Sequence, residues 1–532
     1  MSITTRLLTT CLALAASAAA LALPAKELAN WSILVAPDAI PSEKFAAEEF
    51  QALWQSCSGV ALPIVNAGET GKHYIVIGPG MAQQAGVSNS DLGEEGLRIR
   101  IAPNAIVITG GRPRGTLYGV YEFFERYVGA RFLTTDHTYF PEDASSRELQ
   151  NGEYSFVPPF AFRWSYYGEN NTNPAFATRM RVNTVAQDEK FGGVTPQNLI
   201  NHSFFHHCPV EKYGTEHPEY FALVDGERKL EMHGGGPELC LTNPAVADIV
   251  TASVLADLEA SPHLRNISVS QNDNDAYCRC ENCEAINQRE GTPMGTYLTL
   301  VNTVAERIEP KFPNTKIGTL AYWHTRKPPK TIRPRHNVQI QLCSIECCTL
   351  HAINDPSCKK NKEFCDDLAN WKAICEDIWV WNYNTNFASY DLPFPSLRSI
   401  EPNVKYFLDN NVHGLFMQAN GNGLSGEMSD LRNYVLSHTI WNPKEGGWAR
   451  VEEFCKLHYG PAAGPILEYL NYLHDNAEQK GVHPECFPTA LEVGVDQEFA
   501  VKAIALFQQA LDLAPDETVR NRVEKASLCA WK

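Results

Sequence analysis

The chain has 532 residues, 44% hydrophobic and 20% charged, enough for more than one packed core and unlike a disordered protein. Its 45 basic residues against 62 acidic ones give a formal charge of −17, which excludes the basic footprint of a nucleic-acid partner. Past the N-terminus no stretch is long and uncharged enough to span a bilayer.

Met1-Ser2-Ile3-Thr4-Thr5-Arg6 is followed by an Ala-rich apolar run from Leu7 to Leu23 and by small residues around Ala20-Leu21-Ala22 and Pro24-Ala25. This pattern predicts a secretory signal over residues 1–25, with a membrane anchor as the alternative, and a protein exported to the periplasm or the exterior. Export permits disulfides among the cysteines that remain.

Residues 26–150 read as an α/β accessory domain, with strands at Ser32–Ala36, His73–Gly78 and Ile106–Thr109 and helices at Ser42–Ser56 and Thr116–Tyr127. Phe45, Phe50, Leu53 and Trp54 fall near one face of the first helix, which predicts packing on a sheet. Gly110-Gly111-Arg112-Pro113-Arg114-Gly115 is glycine-rich and basic, yet it has neither the P-loop nor the dinucleotide spacing and reads as a strand-to-helix turn.

From 155 to 445 short apolar strands end in polar or aromatic clusters: Phe160–Tyr167, Asn183–Gln187, His202–His207, Ile267–Gln271, Lys316–His324, Val338–Cys343, Ile378–Tyr383 and Gly414–Gln418. Eight such units predict a (β/α)8 TIM-like barrel. Asn243-Pro244 predicts a capped helix start, followed by Val246, Ile249, Val250, Val254 and Leu258 at helical spacing. Three prolines between Arg326 and Asn337 leave no room for a full helix there. Residues 446–532 read as a helical C-terminal region whose pattern stops mid-course, which suggests that a further C-terminal piece is absent.

In a parallel barrel the residues just past each strand converge on one face. Those positions carry His206, Asp273, Asp275, Tyr322, His324, Glu346, Trp381, Asn384, Gln418, Asn420 and Glu427. Carboxylates, aromatic rings and amides together suit a sugar site: rings stack on sugar faces, amides bind hydroxyls and acids work on the glycosidic oxygen. Glu346 is the expected proton donor, since Ile345, Cys347 and Cys348 flank it with apolar surface. Asp273 and Asp275 stand two apart, so an extended backbone turns only one of them, Asp273, to the pocket. Glu427 is a reserve acid, with a structural role at a helix start as its alternative. The other eight are expected to bind substrate. Trp379 and Trp381 share a face, so one of them belongs to the barrel core.

Cys278-x-Cys280-x-x-Cys283 has the makings of a metal loop, but no second C-x-x-C or H-x-x-x-H follows it. The expectation is a disulfide loop staple, with no metal and no cofactor; zinc on these thiols is the alternative. His202, His206 and His207 lack an H-E-x-x-H pattern and are expected to contact ligand or core.

Two resemblances extend this reading. The run from Ile108 to Glu125 with Val128-Gly129-Ala130-Arg131-Phe132 resembles the accessory domain that precedes the barrel in α-glucuronidases and β-hexosaminidases. His217-Pro218-Glu219-Tyr220-Phe221, Leu239-Cys240-Leu241-Thr242-Asn243-Pro244, Ser268-Val269-Ser270-Gln271-Asn272-Asp273, Trp381-Asn382-Tyr383-Asn384 and Leu431-Arg432-Asn433-Tyr434 are similar to a bacterial family long labelled a domain of unknown function. That family includes the endo-β-N-acetylglucosaminidases of glycoside hydrolase family 163. The resemblance implies a glycan substrate, a GlcNAc-containing one such as a complex N-glycan. It also implies a retaining reaction assisted by the substrate's acetamido group. One protein acid then donates a proton while a second polarises the acetamide. The family pattern has Asp where Asn382 stands and Glu where Met417 stands. A non-catalytic glycan-binding protein, or a hydrolase of another polysaccharide, is the alternative.

Overall fold

The computed structural model describes residues 22–531. The expected signal lies outside them except for its last four residues, of which Leu23 and Pro24 pair antiparallel with Leu149 and Glu148. The chain divides into two compact units, residues up to 129 with 140–156, and residues 130–139 with those from 157 onward.

The first unit is built on a mixed six-stranded sheet of β1 (Ser32–Val35), β2 (Ile64–Val65), β3 (Tyr74–Ile77), β4 (Leu97–Ala102), β5 (Ala105–Gly110) and β6 (Gly152–Phe156). Their order is β6-β4-β5-β3-β1-β2, antiparallel at the β6-β4-β5 side and parallel beyond. Helix α1 (Pro41–Ser58) sets Phe50 against Phe123 of α2 (Gly115–Phe123), ring centroids 5.3 Å apart. The Gly110–Gly115 turn is tight: a Cβ on Gly111 would lie 1.7 Å from the Gly93 carbonyl oxygen. Its cations are taken up internally, Arg112 by Glu43 at 2.8 Å and Arg114 by Glu95. The loop is a strand-to-helix turn.

The second unit holds a curled sheet of six parallel strands: β7 (Phe162–Tyr166), β8 (Asn266–Ser268), β9 (Lys316–Ala321), β10 (Val338–Cys343), β11 (Ile378–Tyr383) and β12 (Val412–Gln418). They run in the order β7-β12-β11-β10-β9-β8, a TIM-like half-barrel and not the closed eight-stranded barrel expected from the sequence. The two expected strands at Asn183–Gln187 and His202–His207 do not form, and Phe204–His207 is a helical turn. The physical reason lies in polar side chains that occupy the backbone groups a ladder needs. Asn183 accepts from the Arg163 N–H at 3.1 Å and donates to the Ala161 carbonyl at 2.8 Å. On the other edge Asn266 accepts from the Asn198 N–H at 2.6 Å and donates back to its carbonyl at 3.0 Å. The Ser268 hydroxyl likewise meets both the N–H and the carbonyl of Asn201.

Inside the half-barrel Phe162, Trp379 and Phe416 pack together, Phe162 and Trp379 with centroids 4.6 Å apart. Gly414 pairs with Trp379 across β11 and β12 and has no side chain to displace the indole. Helix α3 (Pro244–Ala260) starts at Asn243, whose side chain accepts from the Ala245 N–H at 3.0 Å, and buries Val246, Val250, Val254 and Leu258. No α-helix forms between β9 and β10, as the three prolines predict. After α4 (Glu281–Glu290) and α5 (Met294–Ile308), the helices α6 (Lys359–Lys372), α7 (Leu397–Asp409) and α8 (Ser429–Trp441) accompany the later strands. Four more follow: α9 (Trp448–Tyr459), α10 (Ala463–Gln479), α11 (Gln497–Asp512) and α12 (Glu517–Trp531). Among the described residues no helix is long and apolar enough to cross a membrane.

Candidate active site at the strand ends

A cavity of about 370 Å³ opens where β9 to β12 end. Trp381 and Tyr383 reach it because alternate residues of β11 face inward, and Gln418 reaches it from the last position of β12. Tyr322 follows β9, and Phe387 and Phe487 close the rim from loops. Five aromatic rings thus surround a space in which Asp273 is the only lining carboxylate among the described residues.

Asp273 lies past β8, anchored by its N–H to the Gly234 carbonyl at 2.7 Å. The Tyr322 hydroxyl donates to its Oδ1 at 3.0 Å, and His202 Nε2 stands 3.6 Å from the same oxygen. His202 is itself fixed by Nδ1 on the Gln271 carbonyl at 2.7 Å. Burial raises the Tyr322 hydroxyl pKa, and the nearby charges of Asp273 and, more weakly, Glu346 add to it. Burial raises the Cys343 thiol, and the charges of Glu346 and Asp273 add to it; Ile345 lines the cavity, while Glu346, next in the chain, is not among its lining residues.

Glu346 is not desolvated as its apolar neighbours suggest: Cys347 and Cys348 turn inward, whereas its own side chain is 36% exposed. Arg326 holds its Oε2 at 2.9 Å while reaching Asp367 at 2.8 Å on the other side. Glu427 is deeply buried against Arg432, whose guanidinium also bonds the Phe394 carbonyl and the Ser396 hydroxyl. Burial pushes the Glu427 carboxyl up and Arg432 opposes it. Glu427 shares a separate small pocket with Asn384 and Asn420.

The remaining expected binders lie elsewhere. His206 is exposed and bonded to Asp257 at 2.9 Å, and Asp275 is exposed. His324 stacks on Tyr277, 4.9 Å between centroids, and meets the Tyr297 hydroxyl at 3.3 Å; burial pushes its pKa down to about 4. Trp379 is the tryptophan of the core. Asn382 and Met417 both point away from the cavity, Asn382 donating to the Ser344 hydroxyl at 3.0 Å and Met417 lying in the helix-packed core. Neither position supplies a group to this cavity.

Two buried acids escape the sequence reading. Glu169 follows β7 and is pushed up to about 7, chiefly by burial and then by Asp430. Glu238 is pushed up to about 8 by burial and accepts from the Tyr297 hydroxyl at 3.1 Å. Glu169 stands just past a strand end, the same signal that points to Asp273. Glu238 follows Gly234-Gly235-Gly236-Pro237, which reads only as a loop.

The fifteen described cysteines are all unbonded, so the staple expected at Cys278, Cys280 and Cys283 is not formed among the described residues. Those three instead gather with Cys240, and a second group joins Cys348, His351, Cys358 and His483.

A parallel half-barrel with an aromatic, carboxylate-bearing mouth, in a chain that also carries a mixed-sheet unit, is a glycoside-hydrolase-like architecture. The chain belongs to the family described as a domain of unknown function, DUF4838, whose model matches residues 132–472. Residues 20–123 match the model for the glycosyl hydrolase family 67 N-terminus. No curated protein sequence matches the chain. Among solved structures it is similar to BtGH115A, a family GH115 4-O-methyl-α-glucuronidase with specificity for decorated arabinogalactans. The identity is 12% and the TM-score 0.56, over 94% of this chain and 72% of that one. It also aligns with CpGH84B at 12% identity and a TM-score of 0.49, over 94% and 86% of the two chains. A mutant Streptomyces plicatus β-hexosaminidase in complex with its product GlcNAc aligns at 13% identity and a TM-score of 0.44, over 79% and 89%. At such identities the likeness is one of fold.

Proposed function

We propose that this protein is an exported glycoside hydrolase acting on GlcNAc-containing glycans. The reading is an endo-β-N-acetylglucosaminidase that retains anomeric configuration through the substrate's acetamido group. The observation that carries it is the aromatic cavity with Asp273 in its wall and its Oδ1 held by Tyr322, which leaves Oδ2 for an acetamide N–H. In this reaction the acetamido oxygen attacks the anomeric carbon as the glycosidic C–O bond breaks. Glu346 would deliver a proton to the departing oxygen once the bound glycan displaces Arg326 from its Oε2, and water then opens the oxazolinium ion. Asp273 orients and polarises the acetamide, so no enzyme nucleophile is needed and one lining carboxylate with one beside it suffices. Trp381 and Tyr383 offer ring faces to the sugar, and Gln418 a hydroxyl contact.

The test is release of glycan from a complex N-glycoprotein, with product anomer read by NMR. Asp273→Asn and Glu346→Gln should each lower kcat/KM at least ~100-fold, about 2.7 kcal/mol of transition-state stabilisation. A thiazoline analogue of the oxazoline should inhibit. Inverted product, or full activity in both variants, overturns the reading. A second reading, a glycan-binding protein without turnover, is favoured by the lone lining carboxylate; binding of the same glycan without release would support it. N-terminal sequencing of the secreted protein tests export.

A further inference from the structure

Cys240 precedes α3, Cys278 and Cys280 lie between β8 and α4, and Cys283 is in the first turn of α4. The fold brings their four Sγ atoms within 4.8 Å of one another, with Cys240 and Cys280 3.7 Å apart. A disulfide needs about 2.05 Å between sulfurs. Four thiolates at zinc–sulfur distances of about 2.3 Å stand about 3.8 Å apart at the corners of a tetrahedron. The 3.7 Å separation is that of ligands sharing an ion. Cys240, Cys278 and Cys283 are buried.

The surroundings are those of a thiolate cluster. The Leu223 N–H donates to Cys278 Sγ at 3.3 Å, and Arg228 approaches the same sulfur at 3.9 Å, a cation that offsets the negative charge of four thiolates around a divalent ion. The Thr242 hydroxyl lies 3.2 Å from Cys283 Sγ. No carboxylate enters the set, and four protein ligands leave no open coordination position.

A second group stands on independent observations. Cys348 Sγ lies 3.2 Å from His351 Nδ1, and Cys358 Sγ 3.5 Å from His483 Nδ1. Sulfur and nitrogen on one tetrahedral zinc stand about 3.6 Å apart. The two imidazoles stack with centroids 4.5 Å apart, so both Nδ1 atoms face the thiols together. Three of these ligands come from the segment between β10 and α6 and the fourth from the loop after α10.

We propose that Cys240, Cys278, Cys280 and Cys283 hold one structural zinc ion, and that Cys348, His351, Cys358 and His483 hold another. Soft thiolates with or without imidazole in a closed tetrahedron select zinc over the hard, oxygen-seeking cations. Each ion closes a loop at the cavity. The first ties the segment bearing Asp273 to the Leu239–Thr242 stretch. The second ties the segment bearing Glu346 to the one bearing Phe487. The two sites stand whether or not the glycan reading holds.

The full chain, expressed with zinc and freed of loose metal, is analysed by elemental mass spectrometry. Two zinc ions per chain are expected, one in the Cys278→Ser/Cys283→Ser double variant and one in His483→Ala. His483 is exposed, so its variant should fold even if the double variant does not. Titrating the wild-type thiols with a mercurial should release both ions. Cobalt added after zinc removal should give the visible bands of tetrahedral thiolate coordination, less intense by one site in each variant. Zinc well below one per chain, iron in its place, or these cysteines recovered as disulfides on peptide mapping overturns the proposal.

Discussion

Glu427→Gln distinguishes a structural acid from a chemical one. Glu427 and Arg432 have side-chain exposures of 2% and 3%, and the guanidinium spends its other donors on Phe394 and Ser396. Replacing the carboxylate by an amide leaves the shape and removes the charge that balances Arg432. Breaking a buried pair from one side costs about 3–5 kcal/mol, because the surviving charge stays dry. For a unit of roughly 390 residues the unfolding entropy is about 0.8 kcal/mol per kelvin, so Tm should fall by ~4–6 °C. Melting is followed by near-UV circular dichroism, beside kcat on glycan at 25 °C. The variant should melt early and, while folded, turn over within a few-fold of wild type. Converting the pair to Glu427→Leu/Arg432→Met should recover most of the loss. An unchanged Tm refutes the ion-pair argument. A stable variant with kcat down 100-fold refutes the structural role and makes Glu427 part of the chemistry.

Other consequences are as direct. Trp381→Ala removes a ring from the cavity wall and should raise KM about tenfold with little change in kcat, since the ring serves ground state and transition state alike. Gly414→Ala puts a Cβ 2.5 Å from Trp379 Cδ2, deep in the half-barrel, and should cost at least ~1–3 kcal/mol by denaturant melting. Gly423→Ala, with nothing nearer than Ser425 Oγ at 4.0 Å, should melt like wild type. Glu169 holds its proton in the fold up to about 7 against an ordinary value of 4.5. Its contribution to stability is therefore complete below pH 4.5 and is lost as pH rises through 7, with a slope of up to about 1.4 kcal/mol per pH unit. Glu169→Gln should flatten that fall in pH-resolved denaturation. Removing zinc with a strong chelator should lower Tm and glycan turnover together, and zinc alone should restore both.

Strands such as Val338–Cys343 and Ile378–Tyr383 are legible because their apolar runs have strand length and turn-rich flanks. Asn183–Gln187 and His202–His207 mislead for the opposite reason. Their polar residues look like strand ends, whereas Asn183, Asn266 and Ser268 replace the ladder with side-chain bonds that no periodicity reports. Asp273 was legible because one step past a strand is a predictable direction. His202 was not chosen over His206, because the helical turn at Phe204 redirects the segment. The thiol cluster was half legible: three cysteines stand together in sequence, but Cys240 joins them only through the approach of the segment before α3 to the loop after β8. Asn382 and Met417, where the family pattern has acids, stand at outward positions in the alternation of β11 and β12, an orientation that the sequence comparison alone does not give.

The half-barrel's open side has an evolutionary consequence. In a ladder, adding one residue inverts every side chain beyond it, so closed barrels change length in pairs or by bulges. The segment from Asn183 to Asn201 is held by asparagine and serine side chains and by single backbone bonds, Thr195 N–H to the Asn183 carbonyl and Arg265 N–H to the Pro196 carbonyl, rather than by a continuous ladder. Descendants can lengthen or shorten that wall one residue at a time. The register of the six parallel strands opposite is untouched by such a change, because no ladder bond joins them to this segment.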